Sequence, residues 1–285
     1  MLRVLISGGA GMLALALRKS FAHSNVLALT REQMDITKPE DTLKAACDFK
    51  PDLILNPAAL TRVDDCELDS EKSFLVNALG AANMAVAARE TGGRLVHFST
   101  DYVFDGCRKT PYREEDKPNP LSIYGQSKLS GENFVRKICI QHYIIRTSWL
   151  FGESDRNFVN YIWQKLQKKE TVQAAVDQVG SPTFTLDLAE AVNLLVKKPL
   201  YGTYHLTNSG FCSRYQLAQE LARYANCPER LVIPIKMGDL NLPAGRPLYT
   251  VLDNACWREK GFYPLRHYSG ALKDYLVGGG LCAAP

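Results

Sequence analysis

The stretch RVLISGGAGMLALAL, residues 3–17, decides which fold the rest of the chain is expected to adopt. It begins as an apolar run suited to a β-strand, passes through three glycines and continues with apolar residues at helical spacing. Gly8, Gly11 and Ala14 follow a G-x-x-G-x-x-A spacing between this strand and this helix. Glycines allow the backbone to approach a pyrophosphate closely, and a helix N-terminus presents unpaired N–H groups to the anion. The stretch therefore predicts the opening strand, turn and helix of a dinucleotide-binding fold.

The same stretch has a second interpretation, as a secretory leader or a membrane segment. Arg3 followed by apolar residues resembles a leader, but three glycines interrupt the apolar run. No other stretch approaches the roughly 20 apolar residues that a membrane span needs. The eight cysteines include no C-x-x-C pair and are expected to be reduced thiols. We therefore expect a soluble, cytoplasmic protein.

The composition is that of an ordinary globular protein. Of the 285 residues, 46% are hydrophobic and 22% are charged, which argues against extensive disorder. The formal net charge is +4, and no run of Lys or Arg is long enough to indicate a nucleic-acid tail. The composition therefore predicts neither a nucleic-acid nor a membrane partner, and the basic excess suits a small anionic ligand.

Five apolar runs with few internal charges alternate with helical segments. The runs are RVLISG (3–8), NVLALT (25–30), LILNPA (53–58), RLVHFST (94–100) and HYIIRTS (142–148). Continuous apolar strands between helices are typical of a parallel sheet that is covered on both faces. The fold class expected is therefore α/β, with a doubly wound parallel sheet and a second, smaller α/β region for the substrate.

The domain boundaries are predicted from a change of pattern after Trp149. Residues 1–149 are expected to form the dinucleotide-binding domain, with 171–200 returning to it. Residues 150–170 and 201–285 are expected to form the substrate-binding region.

The second predicted strand ends in LALTREQMDIT, where a dinucleotide's adenosine is expected. An acidic residue at this place suits a ribose with free hydroxyls, whereas a basic residue suits a 2′-phosphate. Because Thr30 and Arg31 stand there, the sequence favours NADPH, with NADH as the alternative. Asp35 and Ile36 are expected to flank the adenine.

Tyr124 and Lys128 are four residues apart in YGQSKLSGE, so on a helix they share one face. An unperturbed phenol titrates near pH ~10, and a neighbouring ammonium group would lower that pKa and make the phenol a useful acid. Lys128 is expected to supply this charge and to hold a ribose hydroxyl. Ser99 and Thr100 end the fourth predicted strand, where side chains face the ligand crevice of a parallel sheet.

Stretches along the whole chain carry a family resemblance. They are GGAGMLA (8–14), MDIT (34–37), NPAALTRVDDCE (56–67), FSTDYVFDG (98–106), PYREEDKPNPLSIYGQSKLSGE (111–132), RTSWLFG (146–152), DQVGSPT (177–183), GTYHLTNSG (202–210) and RPLYTVLD (246–253). On these motifs the chain resembles the extended short-chain dehydrogenase/reductases, and within them it is most similar to the dTDP-4-dehydrorhamnose reductases. The resemblance implies hydride transfer from a nicotinamide to C4 of a 4-keto sugar on a nucleoside diphosphate. It also implies that Tyr124 protonates the developing alkoxide, Lys128 lowers its pKa, and Thr100 hydrogen-bonds the carbonyl oxygen.

The same resemblance extends the expected site. Cofactor contacts are expected from Gly8, Gly11, Met12, Leu13, Arg31, Asp35, Ile36, Ala58, Ala59, Thr61, Asn77, Ser99, Tyr124 and Lys128. Substrate contacts are expected from Asp101, Trp149, Asn157 and Arg246, and the guanidinium fork of Arg246 matches a diphosphate. Trp149 has core packing as its alternative role.

Two departures from the family pattern affect the expected cofactor loops and metal content. Ala14 takes the place of the third glycine, and Pro57 takes that of a small residue. Some members carry a glutamate soon after the third glycine that helps to bind magnesium at a dimer contact. Leu15 and Ala16 stand there instead, so no metal is expected, and the protein is expected to be a monomer or a homodimer.

An acidic cluster in the PYREED stretch invites a metal assignment. It consists of Glu114, Glu115 and Asp116, which stand beside Lys117 and two prolines. We interpret it instead as a solvated loop.

Other activities of the superfamily stay open to different degrees. Sugar-nucleotide dehydratases need a glutamate after the Thr-Asp pair, and Tyr102 stands there. The motifs distinguish an epimerase or another nucleotide-sugar reductase less clearly from the expected 4-keto-sugar reductase. A further alternative is a non-catalytic NADP-binding protein, because the regulatory subunit of methionine adenosyltransferase also resembles this family.

Overall fold

The computed structural model describes residues 1–154 and 157–278. Its strands, in chain order, are β1 (Arg3–Ile6), β2 (Asn25–Ala28), β3 (Leu53–Asn56), β4 (Arg94–Thr100), β5 (His142–Thr147), β6 (Leu150–Phe151), β7 (Val172–Ala175), β8 (Val179–Gly180), β9 (Thr183–Phe184), β10 (Gly202–His205), β11 (Cys212–Ser213) and β12 (Val232–Ile235). Its α-helices are α1 (Met12–Ser20), α2 (Pro39–Phe49), α3 (Val63–Leu68), α4 (Ser70–Phe74), α5 (Gly80–Thr91), α6 (Ile123–Ile138), α7 (Phe158–Gln167), α8 (Thr185–Leu195), α9 (Arg214–Tyr224), α10 (Ala255–Glu259) and α11 (Tyr268–Gly278). A π-helical turn, Leu75–Leu79, joins α4 to α5.

The central sheet has six parallel strands in the order β10-β5-β4-β3-β1-β2. The chain leaves β1 toward one edge to form β2 and then crosses back over β1 to form β3. The connections that follow β1 and β3 therefore diverge and leave a crevice at the carboxyl ends of these strands, where ligands bind in such sheets.

Successive residues of β1 face the two helical layers in turn. Ile6 packs in a core with Leu17 of α1 and Leu188 of α8. Leu5 packs on the opposite face, in a core that includes Met84 of α5. Because both faces are buried, every strand residue can be apolar, which explains the uninterrupted runs in the sequence. All five predicted runs contain a strand of this sheet, and the prediction of a doubly wound α/β fold is confirmed.

A second, smaller region has its own core around α7, α9 and α11, with Phe151, Trp163, Leu217 and Leu272 fully or almost fully buried in it. Its short strands pair as β7 with β12 and as β8 with β11. This region adjoins the carboxyl edge of the sheet, because β6 follows β5 after only two residues.

The chain divides between the two regions differently from the predicted boundaries. Helix α8 packs against α1 beside the sheet. Strand β7, however, pairs with β12 in the smaller region, and β10 forms the edge of the central sheet beside β5. The predicted placement of 201–285 outside the sheet domain is therefore wrong at β10. A four-residue edge strand leaves too short an apolar pattern to reveal its partner in advance.

None of the described helices is long and apolar enough to cross a membrane. The seven cysteines within the described ranges form no disulfide bond. Cys282 lies outside those ranges.

Close packing of helix α6 generates a stability prediction. A Cβ on Gly131 of α6 would lie 2.3 Å from the carbonyl oxygen of Asn77 in the π-helical turn. We expect Gly131→Ala to lower the free energy of unfolding by about 1–3 kcal/mol, because α6 must shift away from the turn. Gly270→Ala is the matched control, since a Cβ there meets no atom within 4 Å. Urea denaturation of both variants measures this, and an equally stable Gly131→Ala protein would contradict it.

Candidate active site

The glycine turn brings the backbone of β1 close to its neighbours. Gly8 has a positive φ of +58°, and a Cβ on Gly9 would lie 2.9 Å from the carbonyl carbon of Ala28 at the end of β2. Gly9 is therefore a third required glycine that the predicted spacing of Gly8 and Gly11 did not include. Helix α1 begins after Gly11 with no side-chain cap and no acidic residue in its first turn. Its N-terminal N–H groups and dipole are thus available to an anion.

A cleft of about 720 Å³ extends from this turn to the carboxyl ends of β4 and β5. Many residues predicted for the site line it together. They are Gly8, Gly11, Met12, Leu13, Ala59, Thr61, Ser99, Thr100, Asp101, Tyr124, Lys128, Trp149 and Asn157. The structure therefore gathers the predicted catalytic residues, most of the predicted cofactor residues and three of the four predicted substrate residues around one cavity.

The residues predicted at the adenosine end lie outside this lining. The guanidinium group of Arg31 is exposed and its Nε lies 3.3 Å from a carboxylate oxygen of Asp35. Asp35 also accepts hydrogen bonds from the backbone N–H and the hydroxyl of Thr37. Ile36 is 6% exposed and packs in the core against Gly80. Its side chain is buried there, and the expectation that Ile36 flanks an adenine stays a prediction.

Ala58 and Asn77 also lie outside the lining and support it from behind. Ala58 packs against Gly8, where an added Cβ would lie 3.1 Å from its own. The Asn77 side chain accepts a hydrogen bond from Leu60 N and donates to Leu60 O and to the Ser127 hydroxyl, at 2.8, 3.0 and 3.0 Å. Asn77 thus braces the loop after β3 against α6, and its amide is fully used by protein partners.

The three predicted catalytic residues come from two elements. Thr100 ends β4, whereas Tyr124 and Lys128 occupy successive turns of α6, whose N-terminus is capped by Ser122. The Thr100 side chain lies close enough to the Tyr124 phenol to oppose a rise in its pKa. The Lys128 ammonium group is almost fully buried and donates to the carbonyl oxygen of Phe98 at 2.5 Å. The arrangement places a proton donor and a cation in one cleft wall.

Burial raises the pKa of the Tyr124 phenol above its usual value, and the nearby Thr100 side chain opposes this rise only in part. Desolvation therefore dominates the pKa of Tyr124, and the expectation that Lys128 lowers this pKa stays a prediction. A phenol with a raised pKa is protonated at neutral pH, which is the form that an acid needs. Burial lowers the pKa of Lys128 to about 8, and the nearby Glu132 carboxylate opposes that shift.

Glu132, which sequence reasoning missed, is the centre of a buried ion cluster beside these residues. It is 0% exposed and accepts hydrogen bonds from Arg146 at 2.9 and 2.8 Å, from Arg136 at 2.6 Å and from the Ser99 hydroxyl at 2.6 Å. Burial raises its pKa, but the charges of the two arginines and these hydrogen bonds bring the pKa down to about 2. Its position one helical turn after Lys128 was a usable signal.

Asp101 and Thr147 complete the cleft near the catalytic residues. The carboxylate of Asp101 accepts from the hydroxyls of Thr100 at 3.0 Å and Thr250 at 2.5 Å. Burial raises its pKa to about 6, although these hydrogen bonds and the charge of Arg214 oppose the rise. The Thr147 hydroxyl is buried in the lining and has no partner among the described residues. The pairing of Thr147 with Thr100 across β4 and β5 was the signal that could have found it.

The remaining predicted substrate residues differ in their surroundings. Asn157 lines the cleft and also caps α7, where it accepts from Asn160 N at 3.0 Å. Arg246 lies outside the lining and donates to both carboxylate oxygens of Asp64, at 3.0 and 2.7 Å. The fork predicted to bind a diphosphate is thus occupied by a protein carboxylate in this arrangement.

The acidic cluster is only partly solvated. Glu115 pairs with Arg113 and Asp116 with Arg108 near the surface. One carboxylate oxygen of Glu114, in contrast, accepts from His205 N at 3.0 Å and Cys256 N at 3.1 Å, and burial raises its pKa. The interpretation as a solvated loop is therefore wrong for Glu114, whose role is to hold the loop against β10 and α10.

In the described part of the chain, no group of three or more His, Cys, Asp or Glu residues could hold a metal ion. That the site uses no metal stays a prediction.

The ion cluster generates a pH-dependent prediction. We expect Glu132→Gln to lower the free energy of unfolding at pH 7 by about 3 kcal/mol, because Arg146 loses its buried counter-charge. Since the folded pKa of Glu132 is about 2 and the unfolded value is 4.5, the stabilisation is complete above pH 4.5. It disappears as the pH falls through about 2.

Guanidinium denaturation at pH 7 and pH 3 measures the difference between the native protein and the variant. The exposed Glu190 provides the control substitution Glu190→Gln. A difference that did not shrink at pH 3 would show that the charge of Glu132 is not its source.

Comparison with known proteins places this geometry in a family. The family model described as RmlD substrate binding domain matches residues 2–278. The spore coat polysaccharide biosynthesis protein SpsK of Bacillus subtilis is 38% identical over 97% of this chain and 97% of its own length. The dTDP-4-keto-6-deoxy-D-glucose reductase of Streptomyces niveus is 37% identical over 95% of both chains.

Solved structures agree with this relationship. The crystal structure of dTDP-4-dehydrorhamnose reductase from Bacillus anthracis in complex with NADP superposes with a TM-score of 0.94. It is 34% identical and covers 98% of this chain and 100% of its own. The chain therefore belongs to the RmlD substrate binding domain family.

Proposed function

We propose that this protein is an NADPH-dependent reductase of the 4-keto group of a nucleoside-diphosphate deoxysugar. The substrate proposed is dTDP-4-dehydro-L-rhamnose and the product dTDP-L-rhamnose. The observation that carries the proposal is the convergence of Thr100, Tyr124 and Lys128 on the cleft that begins at the glycine turn. The activity in the names of the Bacillus anthracis and Streptomyces niveus proteins supports the substrate class.

The residues around the glycine turn fit a dinucleotide. The turn leaves no Cβ between β1 and an approaching phosphate, and the uncapped N-terminus of α1 offers N–H donors to it. We propose that Gly8, Gly11, Met12 and Leu13 hold the pyrophosphate and that Lys128 holds a ribose hydroxyl. Arg31 would meet a 2′-phosphate by exchanging its ion pair with Asp35. When bound, NADPH supplies the hydride for the carbonyl carbon.

The proton chemistry is assigned to the chain's own side chains. Thr100 would turn its hydroxyl proton from the Asp101 carboxylate to the C4 carbonyl oxygen and so polarise the carbonyl group. Tyr124 would transfer its phenolic proton to that oxygen as an alkoxide develops. The resulting phenolate would be stabilised by the Lys128 ammonium group, whose pKa of about 8 keeps it largely charged at pH 7. The raised pKa of Tyr124 ensures that the proton is present before the reaction starts.

The alternatives are separated by turnover. A second keto-sugar, the 4-keto-6-deoxyglucose of the Streptomyces niveus reductase's name, fits the same chemistry at C4. A non-catalytic NADP-binding protein would bind the cofactor without consuming it, and the assembled Thr100, Tyr124 and Lys128 argue against that interpretation.

We also propose a cytoplasmic location, which the free cysteines support. The choice between monomer and homodimer stays a prediction.

Replacing the phenol tests the mechanism. We expect Tyr124→Phe to reduce kcat by about a hundredfold to ten-thousandfold, because no other group supplies the proton. The KM for the sugar nucleotide is expected to change little. The assay follows NADPH absorbance with dTDP-4-dehydrorhamnose generated in situ, and the exposed Tyr263→Phe serves as control. Unchanged turnover in Tyr124→Phe would remove Tyr124 from the mechanism, and a native protein without turnover would favour the binding protein.

The preference for NADPH over NADH tests the proposed contact between Arg31 and the 2′-phosphate. We expect Arg31→Gln to raise the KM for NADPH about tenfold, because a charge-assisted hydrogen bond to the 2′-phosphate is lost. The KM for NADH should stay within twofold, since NADH lacks that phosphate. Arg18→Gln, a change at an exposed arginine of α1, is the control. Equal increases in the KM for both coenzymes would show that Arg31 does not bind the 2′-phosphate.

A further inference from the structure

Arg214, the first residue of α9, is held beside the cleft by two aromatic rings. Its guanidinium carbon lies 3.6 Å from the ring centroid of Trp149 and 4.6 Å from that of Phe158. Its Nε donates to Gln178 Oε1 at 3.3 Å, and Gln178 in turn donates to the Tyr102 phenol at 3.3 Å. Stacking fixes the plane of a guanidinium group and leaves the N–H groups along its edge free to bind.

The guanidinium group of Arg214 forms no ion pair with a carboxylate of the described residues. Within residues 1–154 and 157–278, no Asp or Glu oxygen lies within 4 Å of its nitrogens, whereas the neighbouring Arg246 is paired with Asp64. Burial lowers the pKa of Arg214 to about 10, and the charges of Tyr102, Asp101 and Cys212 oppose this, while that of Arg246 adds to it. Arg214 therefore stays charged at neutral pH. Of these two guanidinium groups, only that of Arg246 is paired with a carboxylate in the described part of the chain.

Trp149 adds an independent sign of a missing partner. Its backbone has a positive φ of +46°, and its ring fills the space at Gly180, where a Cβ would lie 2.6 Å from the indole. The indole N–H is buried and has no hydrogen-bond partner in the described part of the protein. The side chain is thus firmly held, and its indole N–H, which lies against Gly180, keeps unused hydrogen-bonding capacity beside the stacked cation.

We propose that Arg214 binds the diphosphate of the nucleotide-sugar substrate. The inference rests on the proposed function for the identity of the substrate. A neutral sugar ring needs no formal charge, whereas a diphosphate matches the planar fork of a guanidinium group. The cofactor's pyrophosphate has its own donors at the N-terminus of α1, so the second anion of the ternary complex requires a separate cation. Arg214 supplies it, and it does so without first giving up an ion pair, as Arg246 would have to.

Direct binding tests the assignment without requiring turnover. Isothermal titration of dTDP, and of UDP as a second nucleoside diphosphate, is carried out on the full-length native protein, Arg214→Gln and Arg214→Lys. We expect Arg214→Gln to weaken binding of the better diphosphate by about tenfold to a hundredfold, because a charge-assisted contact is lost. Arg214→Lys keeps the charge but not the stacked fork, so its affinity should lie between the other two. Thymidine, which has no phosphate, should bind native protein and Arg214→Gln equally.

Two controls separate ligand binding from folding. Arg223→Gln removes another arginine of the same helix, one that is exposed and paired with Glu229, and should bind dTDP like the native protein. All variants should bind NADPH with unchanged affinity. If Arg214→Gln does not fold, Arg214→Lys carries the test through its ratio of dTDP to NADPH affinity.

The outcomes distinguish this inference from the proposed function. Native-like dTDP binding by Arg214→Gln, or an equal loss for dTDP and thymidine, would overturn the assignment while leaving the reductase activity untouched. Arg214-dependent binding of dTDP or UDP by a protein that does not reduce the keto sugar would support the assignment and refute the proposed substrate. A native protein that binds neither diphosphate would overturn the assignment.

Discussion

The buried carboxylate of Glu132 connects helix α6 to the central sheet. It accepts hydrogen bonds from Arg146 on β5 and from Ser99 on β4, and it lies one helical turn beyond Lys128 on α6. The charge of Glu132 opposes the effect of burial on the Lys128 ammonium group. Because an unpaired charge in this position would cost several kcal/mol, arrangements of strands and helix that leave Glu132 unpaired are disfavoured. The observed arrangement also brings Tyr124 to the end of β4.

The polar groups in and behind the cleft walls are of two kinds. Some, such as the amide of Asn77 and the fork of Arg246 behind the lining, are engaged by protein partners and hold loops in place. Others, the hydroxyl of Thr147 and the indole N–H of Trp149, are buried without a partner among the described residues. Buried polar groups are almost always hydrogen-bonded, so these two groups keep hydrogen-bonding capacity that the described protein groups do not use. This difference separates residues that shape the cavity from residues whose polar groups in its wall are still unpaired within the described chain.

Local patterns predicted the parts of the molecule whose partners are close in sequence. Hydrophobic periodicity and residue spacing were enough to predict the glycine turn, the five strand runs and the i, i+4 pair of Tyr124 and Lys128. The parts that were missed depend on contacts between distant segments. The need for Gly9 arises from β2, the environment of Glu114 from β10 and α10, and the pairing of Arg246 from Asp64. The rise in the pKa of Tyr124 was missed for the same reason, because desolvation is a property of the assembled cavity.

The π-helical turn between α4 and α5 changes the direction in which side chains point along one continuous helical segment. A π-turn accommodates one residue more than an α-turn, so the residues after it are rotated by about 100° relative to an uninterrupted α-helix. Within the turn, Asn77 faces the loop after β3, and directly after the turn Gly80 lies against Ile36. Removing one residue from the turn would place Ala81 where Gly80 now stands, at a point where a Cβ comes within 2.7 Å of Ile36. We therefore expect a deletion at this point to disturb the packing of α5, even though the side chains of Leu75 and Leu79 are exposed.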